Sequence, residues 1–366
     1  MKNKIRVGII GVSPDRGWAA IAHIAALKAL PEYEIKAISN RNEDKAIAAA
    51  KAFDIPLIFT GNSKLINSNE IDLVVITVKV PEHYKLVAEA INAGKSVYCE
   101  WPLGNGLEET IALAALAKKQ GVPNAIGLQS RAVPAINYLK DLIAEGYIGE
   151  VLSTSMIGSG IIYGALTEQA MAYTVDAKNG AGMIYATFGH AADTLTYVLG
   201  EFKEINATAV NRRTSTKIVE TNEDIPMTAF DQIVVNGLLK SGAVASIHYR
   251  GGMFKGTNFL WEINGTKGDL VVTSDIGHPA VMELTIKGSQ GNDGALEVLP
   301  IPKKYNPITT TDLITPAFNV AQHYKRLATD LNEGTRLSAT FDDAVIRHQM
   351  INAIEIAATT GIRQSY

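Results

Sequence analysis

The sequence predicts a two-domain protein: an α/β Rossmann domain over residues 1–125, then an α+β domain over 126–366 built on an open, mostly antiparallel sheet. Three observations carry this. A chain of 366 residues is long enough for two hydrophobic cores. Residues 5–17 read as a short apolar strand, a Gly/Ser/Pro loop and the start of a helix at Trp18. Near residue 126 the strand–helix alternation gives way to hairpin-linked strands.

The first domain alternates throughout. Apolar β-type runs lie at 5–10, 34–38, 72–78, 95–99 and 124–128, with helical periodicity at 18–30, 43–53, 83–93 and 107–119. Strands and helices of these lengths predict right-handed βαβ units and a parallel sheet. Gly94 and Gly121 follow helical patterns as C-terminal caps. The loop after the first strand departs from G-x-G-x-x-G: Ser13 follows Gly11 where a glycine is usual, and Gly17 comes one residue late. An ordinary tight turn reads the same way. As a dinucleotide loop, Gly11, Ser13, Arg16, Gly17 and Trp18 would offer backbone N–H groups and a helix start to a pyrophosphate. The second strand ends in Ser39-Asn40-Arg41 with no carboxylate. A small hydroxyl with an arginine suits a 2′-phosphate, so NADP is expected, with NAD the alternative. Arg41 also reads as a solvated charge.

The second domain opens with a helix at 133–145. Strands follow at 150–158, 203–211, 229–238, 243–250, 258–264, 268–273 and 281–286, interrupted by a helix at 183–199. Amphipathic helices near 317–333 and 342–360 close the chain.

Composition narrows the function classes. With 34 basic and 37 acidic residues the formal charge is −3, and no like-charge run predicts a nucleic-acid groove or a membrane patch. No apolar stretch reaches a membrane span, and the first strand leaves no room for a signal peptide. The single cysteine, Cys99, fits a reducing, cytoplasmic setting and inert burial. There is no H-E-x-x-H, Cys/His cluster or G-x-S-x-G, so no metal and no serine-hydrolase elbow are expected.

Several motifs together carry a family resemblance over nearly the whole chain. They are the glycine loop, Ala93 to Val97 followed by Glu100-Trp101-Pro102-Leu103, Leu139 to Gly149, Gly189-His190-Ala191-Ala192-Asp193, and Gly265 to Asp269. The chain resembles the glucose–fructose oxidoreductase / inositol dehydrogenase / MocA family. Gly17-Trp18-Ala19, Lys79 to Tyr84, Glu100-Trp101, Gly160 to Gly164 and Thr187 to His190 resemble a branch of it, the galactose-pathway repressor proteins and their bacterial relatives. The resemblance implies a sugar-binding second domain whose open sheet builds a homo-oligomer, a dimer or tetramer.

It also implies site residues. Family dehydrogenases use a Lys beside the nicotinamide, and an Asp four residues before an acid/base His. Those positions here hold Trp101, Ala186 and His190. A neutral imidazole with a pKa near about 6.5 can take the hydroxyl proton as hydride leaves. Each lost helper costs on the order of 10²–10⁴ in rate. Lys79, at the end of the fourth strand, is the candidate substitute for the missing charge, although an exposed lysine after a strand is unremarkable. His83, Glu100 and Trp101 map to cofactor-facing positions. Arg131, Tyr163, Asp193 and Tyr249 (with Arg250) map to sugar-facing segments, and Asp193 shares a helical face with His190. Packing, capping or solvation accounts equally for several of these. Two readings follow: an NAD(P)-dependent oxidoreductase of a sugar or sugar derivative, or a non-catalytic NAD(P)/sugar sensor that binds a protein partner. A transient sugar oxidation that activates a further step is a third.

Overall fold

The computed structural model describes residues 4–14, 16–40, 42–291, 294–308 and 312–366. It divides into two compact units, Met1–Ala132 with Ile308–Ile346, and Val133–Pro307 with Arg347–Tyr366.

The first unit holds six parallel strands: β1 Ile5–Ile10, β2 Tyr33–Asn40, β3 Leu57–Thr60, β4 Leu73–Ile76, β5 Ser96–Cys99 and β6 Asn124–Ile126. Their order, β3-β2-β1-β4-β5-β6, is that of a doubly wound dinucleotide-binding sheet, with its switch point between β1 and β4. Between the strands run α1 Ile24–Lys28, α2 Glu43–Phe53, α3 Asn62–Ile66, α4 His83–Asn92 and α5 Leu107–Gln120. The buried runs of β1 and β4 (Val7, Ile9, Ile10; Leu73 to Ile76) explain their central places, since parallel strands are covered on both faces. The first helical segment opens as a π-turn at Ala19–His23 before α1. α2 matches its periodicity to the residue; Asn42 caps it by accepting the Lys45 N–H at 2.9 Å.

The second unit holds α6 Pro134–Ala144, α7 Thr187–Leu199 and strands β7 Val151–Ser159, β8 Leu166–Thr167, β9 Phe202–Val210, β10 Ser215–Ile218, β11 Asp224–Pro226, β12 Gln232–Leu239, β13 Val244–Arg250, β14 Phe259–Gly265, β15 Gly268–Ser274, β16 Thr285–Gln290 and β17 Glu297–Val298. Eight strands form one sheet in the order β17-β16-β15-β14-β7-β13-β12-β9, and β11-β10-β8 form a small second sheet. In the large sheet only β7 and β13 pair in parallel. Period-2 burial sets its faces: Ala245, Ile247 and Tyr249 of β13 and Phe259, Trp261 and Ile263 of β14 point inward. Ile157, Val244 and Val210 are exposed on the other side. The strand expected at 281–286 lies instead at Thr285–Gln290. Val281 and Leu284 satisfy an apolar pattern, but the chain there still belongs to the turn that follows β15.

Two long helices end the chain, α8 Thr315–Glu333 and α9 Phe341–Thr360. Val320, Ala321, Tyr324, Leu327 and Ala328 of α8 form an i, i+3, i+4 stripe buried with β1, β2 and α1 in the first unit's core. Segment 308–346 therefore belongs to the first unit, although it follows the second unit's strands in the chain.

A buried ion network ties α7 to α9. Arg347 donates through Nε to Asp193 at 3.1 Å and through Nη1 and Nη2 to the Glu201 carboxylate at 3.2 and 2.8 Å. Tyr366 adds a hydrogen bond to Glu201 at 2.7 Å. Burial would lower the Arg347 pKa, yet Asp193 and Glu201 raise it above the usual value. Removing one partner of such a set strands charge in a low dielectric. Arg347→Met is expected to lower the unfolding free energy by about 3–5 kcal/mol. Urea denaturation measures this, and a loss below about 1 kcal/mol, the worth of an exposed pair, would contradict a structural role for the network.

Candidate functional site

In the first unit the residues converge at the switch point. Gly11 follows β1 at φ +105°, and a Cβ built on it falls 2.9 Å from Val78 Cγ1 and 3.1 Å from the Thr77 carbonyl. Only glycine allows the loops after β1 and β4 to approach this closely. Thr77 reinforces the contact, donating its backbone N–H and its hydroxyl to the Ile10 carbonyl. Gly17 (φ +91°) has open space around it, and Ile21 N–H returns to its carbonyl at the start of the π-turn. Trp18 begins that turn with its indole N–H buried and without a hydrogen-bond partner. A close-approach glycine, an open glycine and an orphaned donor fit a dinucleotide at this loop. Ser13 is half-buried, and Arg16 is exposed in the same loop.

At the end of β2, Ser39 is buried and donates to Asn62 Oδ1 at 2.9 Å. Asn40 donates to the Val12 carbonyl and accepts from Asn42 N–H, so its amide latches the glycine loop to β2. Arg41 lies outside the described residues. Lys79 is exposed at the C-terminal end of β4, and its carbonyl accepts the Glu82 N–H of the following turn.

Other expected cofactor residues face inward. His83 is buried with Nδ1 2.8 Å from the Pro102 carbonyl and Nε2 3.0 Å from that of Val78. Burial lowers its pKa against the pull of those carbonyls. Both ring nitrogens thus face backbone carbonyls within the first unit. Glu100 sits beside His23, Oε1 to Nε2 2.9 Å, with its carboxylate packed over Gly127. His23 Nδ1 in turn meets Tyr324 Oη at 2.7 Å. Trp101 is largely buried at a cis peptide to Pro102. Cys99 is buried, and burial pushes its thiol well above the usual range. Arg131, expected in the second domain, lies in the first unit, paired with Asp343 at 2.6 Å.

In the second unit, the loops after β7, β13 and β15 and the first turn of α7 form a second cluster. β15 runs antiparallel to β14, and β14 antiparallel to β7, so all three loops leave the same end of the sheet. Gly160, Gly164, Gly251 and Gly252 pack there almost backbone to backbone: a Cβ on Gly251 would lie 1.9 Å from the Tyr163 carbonyl oxygen. Between them Ile161 is held at φ 58°, a costly conformation for a β-branched residue and one that gathers at functional loops. Tyr163 is buried with its hydroxyl on the Ala181 carbonyl, and Tyr249 is buried with its hydroxyl on the Gly277 carbonyl at 2.8 Å. Burial raises both phenols. These hydroxyls hold loops. Asp193 is likewise engaged by Arg347.

His190 is buried in α7, and its ring lies 4.3 Å from that of His278, tilted by 37°. Sequence reading missed His278: it stands alone between Gly277 and Pro279, and no spacing links it to position 190. Among the described residues, no group of three or more His, Cys, Asp or Glu side chains could hold a metal ion. No helix there is long and apolar enough to cross a membrane.

Comparison with known proteins agrees with this architecture. Residues 5–128 match the model of an oxidoreductase family with an NAD-binding Rossmann fold, and residues 134–274 match that of the Gal80p C-terminal domain. The galactose/lactose metabolism regulatory protein of Saccharomyces cerevisiae is 29% identical over 313 residues, covering 79% of this chain and 72% of that protein. The crystal structure of its super-repressor mutant superposes with a TM-score of 0.89 at 25% identity, over 99% of this chain and 98% of the other. A dehydrogenase of Aspergillus oryzae is 28% identical over 380 residues, covering 100% and 99% of the two chains. Levoglucosan dehydrogenase of Pseudarthrobacter phenanthrenivorans is 24% identical over 73% of each chain. A levoglucosan dehydrogenase structure in complex with NADH and levoglucosan superposes with a TM-score of 0.86 over 99% of both chains, at an identity (21%) that speaks to the fold alone.

Proposed function

We propose that this chain is a member of the glucose–fructose oxidoreductase / inositol dehydrogenase / MocA family and an NAD(P)-dependent dehydrogenase or reductase of a sugar or sugar derivative, with His190 as its acid–base residue. The observation that carries it is the cluster in the second unit. There an ionisable ring at position 190 is buried against a second imidazole, at the sheet end where three glycine-rich loops meet. A bound nicotinamide supplies hydride acceptance or donation. His190 takes the carbinol proton in oxidation and returns it in reduction. The loop from Gly11 to Trp18 holds the pyrophosphate through backbone N–H groups, and Glu100 borders the nicotinamide half beside His23. Lys79, exposed after β4, is the candidate for the positive charge that Trp101 does not supply.

NADP is the preferred cofactor. No carboxylate ends β2 to repel a 2′-phosphate; Ser39 and Asn40 are spent on the fold, and the cations in sequence reach are Arg16 of the glycine loop and Arg41, which follows Asn40 in the chain. The measurement is reduced-nicotinamide absorbance with NADP and NAD against aldoses, inositols and uronic acids. Turnover is expected, with a higher kcat/KM for NADP, and His190→Ala is expected to lower kcat by about 10²–10⁴-fold. Tight cofactor binding without turnover would support the second reading, a nicotinamide- or sugar-sensing regulator of a protein partner. The replacement of the family Lys and Asp by Trp101 and Ala186, and the likeness to the yeast regulator, favour that reading.

The exposed apolar side chains on the outer face of the large sheet, Ile157, Val210 and Val244 among them, support a homo-oligomer built through that face. Light scattering is expected to give a dimer or tetramer, and Val244→Arg to shift it towards monomer. A monomeric wild-type protein at micromolar concentration would refute the interface.

A further inference from the structure

His278 is seated with little freedom. Gly277 lies flat on the end of β7, where a Cβ would fall 2.1 Å from the Ser159 carbonyl oxygen, so no side chain fits there. The Tyr249 hydroxyl holds the Gly277 carbonyl from the other side at 2.8 Å. His278 Nδ1 accepts the Ala280 backbone N–H at 3.3 Å, which assigns the neutral ring its proton on Nε2. The ring lies 4.3 Å from that of His190. A loop with one seat thus presents one imidazole in one tautomer to another.

We propose that His278 is the positioning residue for His190: the pair takes up a single proton in the reaction, on His190, while His278 stays neutral and fixes the plane of that ring. This rests on His190 being the acid–base residue. In oxidation the carbinol C–H leaves as hydride to the nicotinamide and the O–H proton goes to His190; His278 neither gains nor loses a proton. Two imidazolium ions at this spacing repel, and His278 cannot withdraw without breaking the Tyr249 bond and leaving the Gly277 seat. Burial, then the neighbouring His190, pushes His278 well below the ordinary imidazole range. Charged and titratable groups on the neighbouring segments have partners or solvent of their own. Asp193 of α7 is on Arg347 of α9, Arg250 of β13 donates to the Thr257 carbonyl, Asp275 is exposed, and His348 of α9 packs on Tyr185.

The test is histidine side-chain NMR of the full chain, with turnover measured beside it. In the wild-type protein, His190 is expected to titrate while His278 keeps its Nε2–H tautomer through about pH 5–8. In His190→Gln the His278 midpoint is expected to rise, because one of its two lowering causes is gone. In His278→Gln, kcat is expected to fall by about ten- to a hundredfold with KM unchanged, the signature of a misplaced base. Protonation of both rings in the same range in the wild-type protein would overturn the proposal. So would an unchanged kcat in a folded, sugar-oxidising His278→Gln protein. Should that variant not fold, the wild-type titration decides. A protein that turns over no sugar yet shows one titrating ring in the pair fails the dehydrogenase reading and supports the pairing.

Discussion

A side chain at position 158 and the ring of Tyr249 cannot coexist: a Cβ on Gly158 would fall 2.0 Å from the ring. The sheet end of the second unit depends on that exclusion. With Gly158 in β7, the Tyr249 ring of β13 lies flat over the neighbouring strand, edge-on to Phe188 of α7 at 5.8 Å. Its hydroxyl then reaches the Gly277 carbonyl, and Gly277 settles on Ser159. A buried phenol without an acceptor costs about 1–3 kcal/mol, so the loop is drawn down by the hydroxyl as much as by its own packing. One missing methyl group in a strand thereby sets the position of His278.

The first unit follows a related logic with different parts. Its polar side chains near the switch point are mostly turned to internal partners: Ser39 to Asn62, Asn40 to Val12 and Asn42, Thr77 to Ile10. What remains for a ligand is backbone, brought close because Gly11 has no Cβ to meet Val78. Backbone N–H groups fixed by such latches need no reorganisation when an anion arrives, which is how a site gains affinity without additional charge. Glu100 is the exception, a carboxylate kept beside His23 and Tyr324 in a largely buried aromatic cluster.

Regular elements were legible where periodicity and end signals agreed. α2 and β1 fall on their expected bounds, and α5 ends at Gly121 in the left-handed region. Short pieces were not: β3, β8 and β17 have two to four residues, too few for a period to register. The roles of polar side chains were the least legible. Asp193 meets Arg347 across 154 positions, and Arg131 meets Asp343 across 212. No local pattern records either partner. Helical spacing showed only that Asp193 shares a face with His190, whereas the buried guanidinium that claims it comes from α9. Tyr163 and Tyr249 were placed on the right segments, but sequence gives no means of telling a hydroxyl that faces a ligand from one spent on a carbonyl.

The same blindness bears on the choice between enzyme and sensor. By the resemblance, Trp101 and Ala186 stand at positions where family dehydrogenases carry a charge and an orienting carboxylate. Yet recognition of a sugar hydroxyl needs only a hydrogen-bonding group, which a buried glutamine or asparagine provides without a titration. An imidazole adds a proton affinity near neutrality. Burying one costs desolvation, and burying a second against it adds mutual repulsion on protonation, so a pair is an expensive way to make a wall. The expense has a physical return only where a proton must move. The His190–His278 contact therefore weighs towards chemistry.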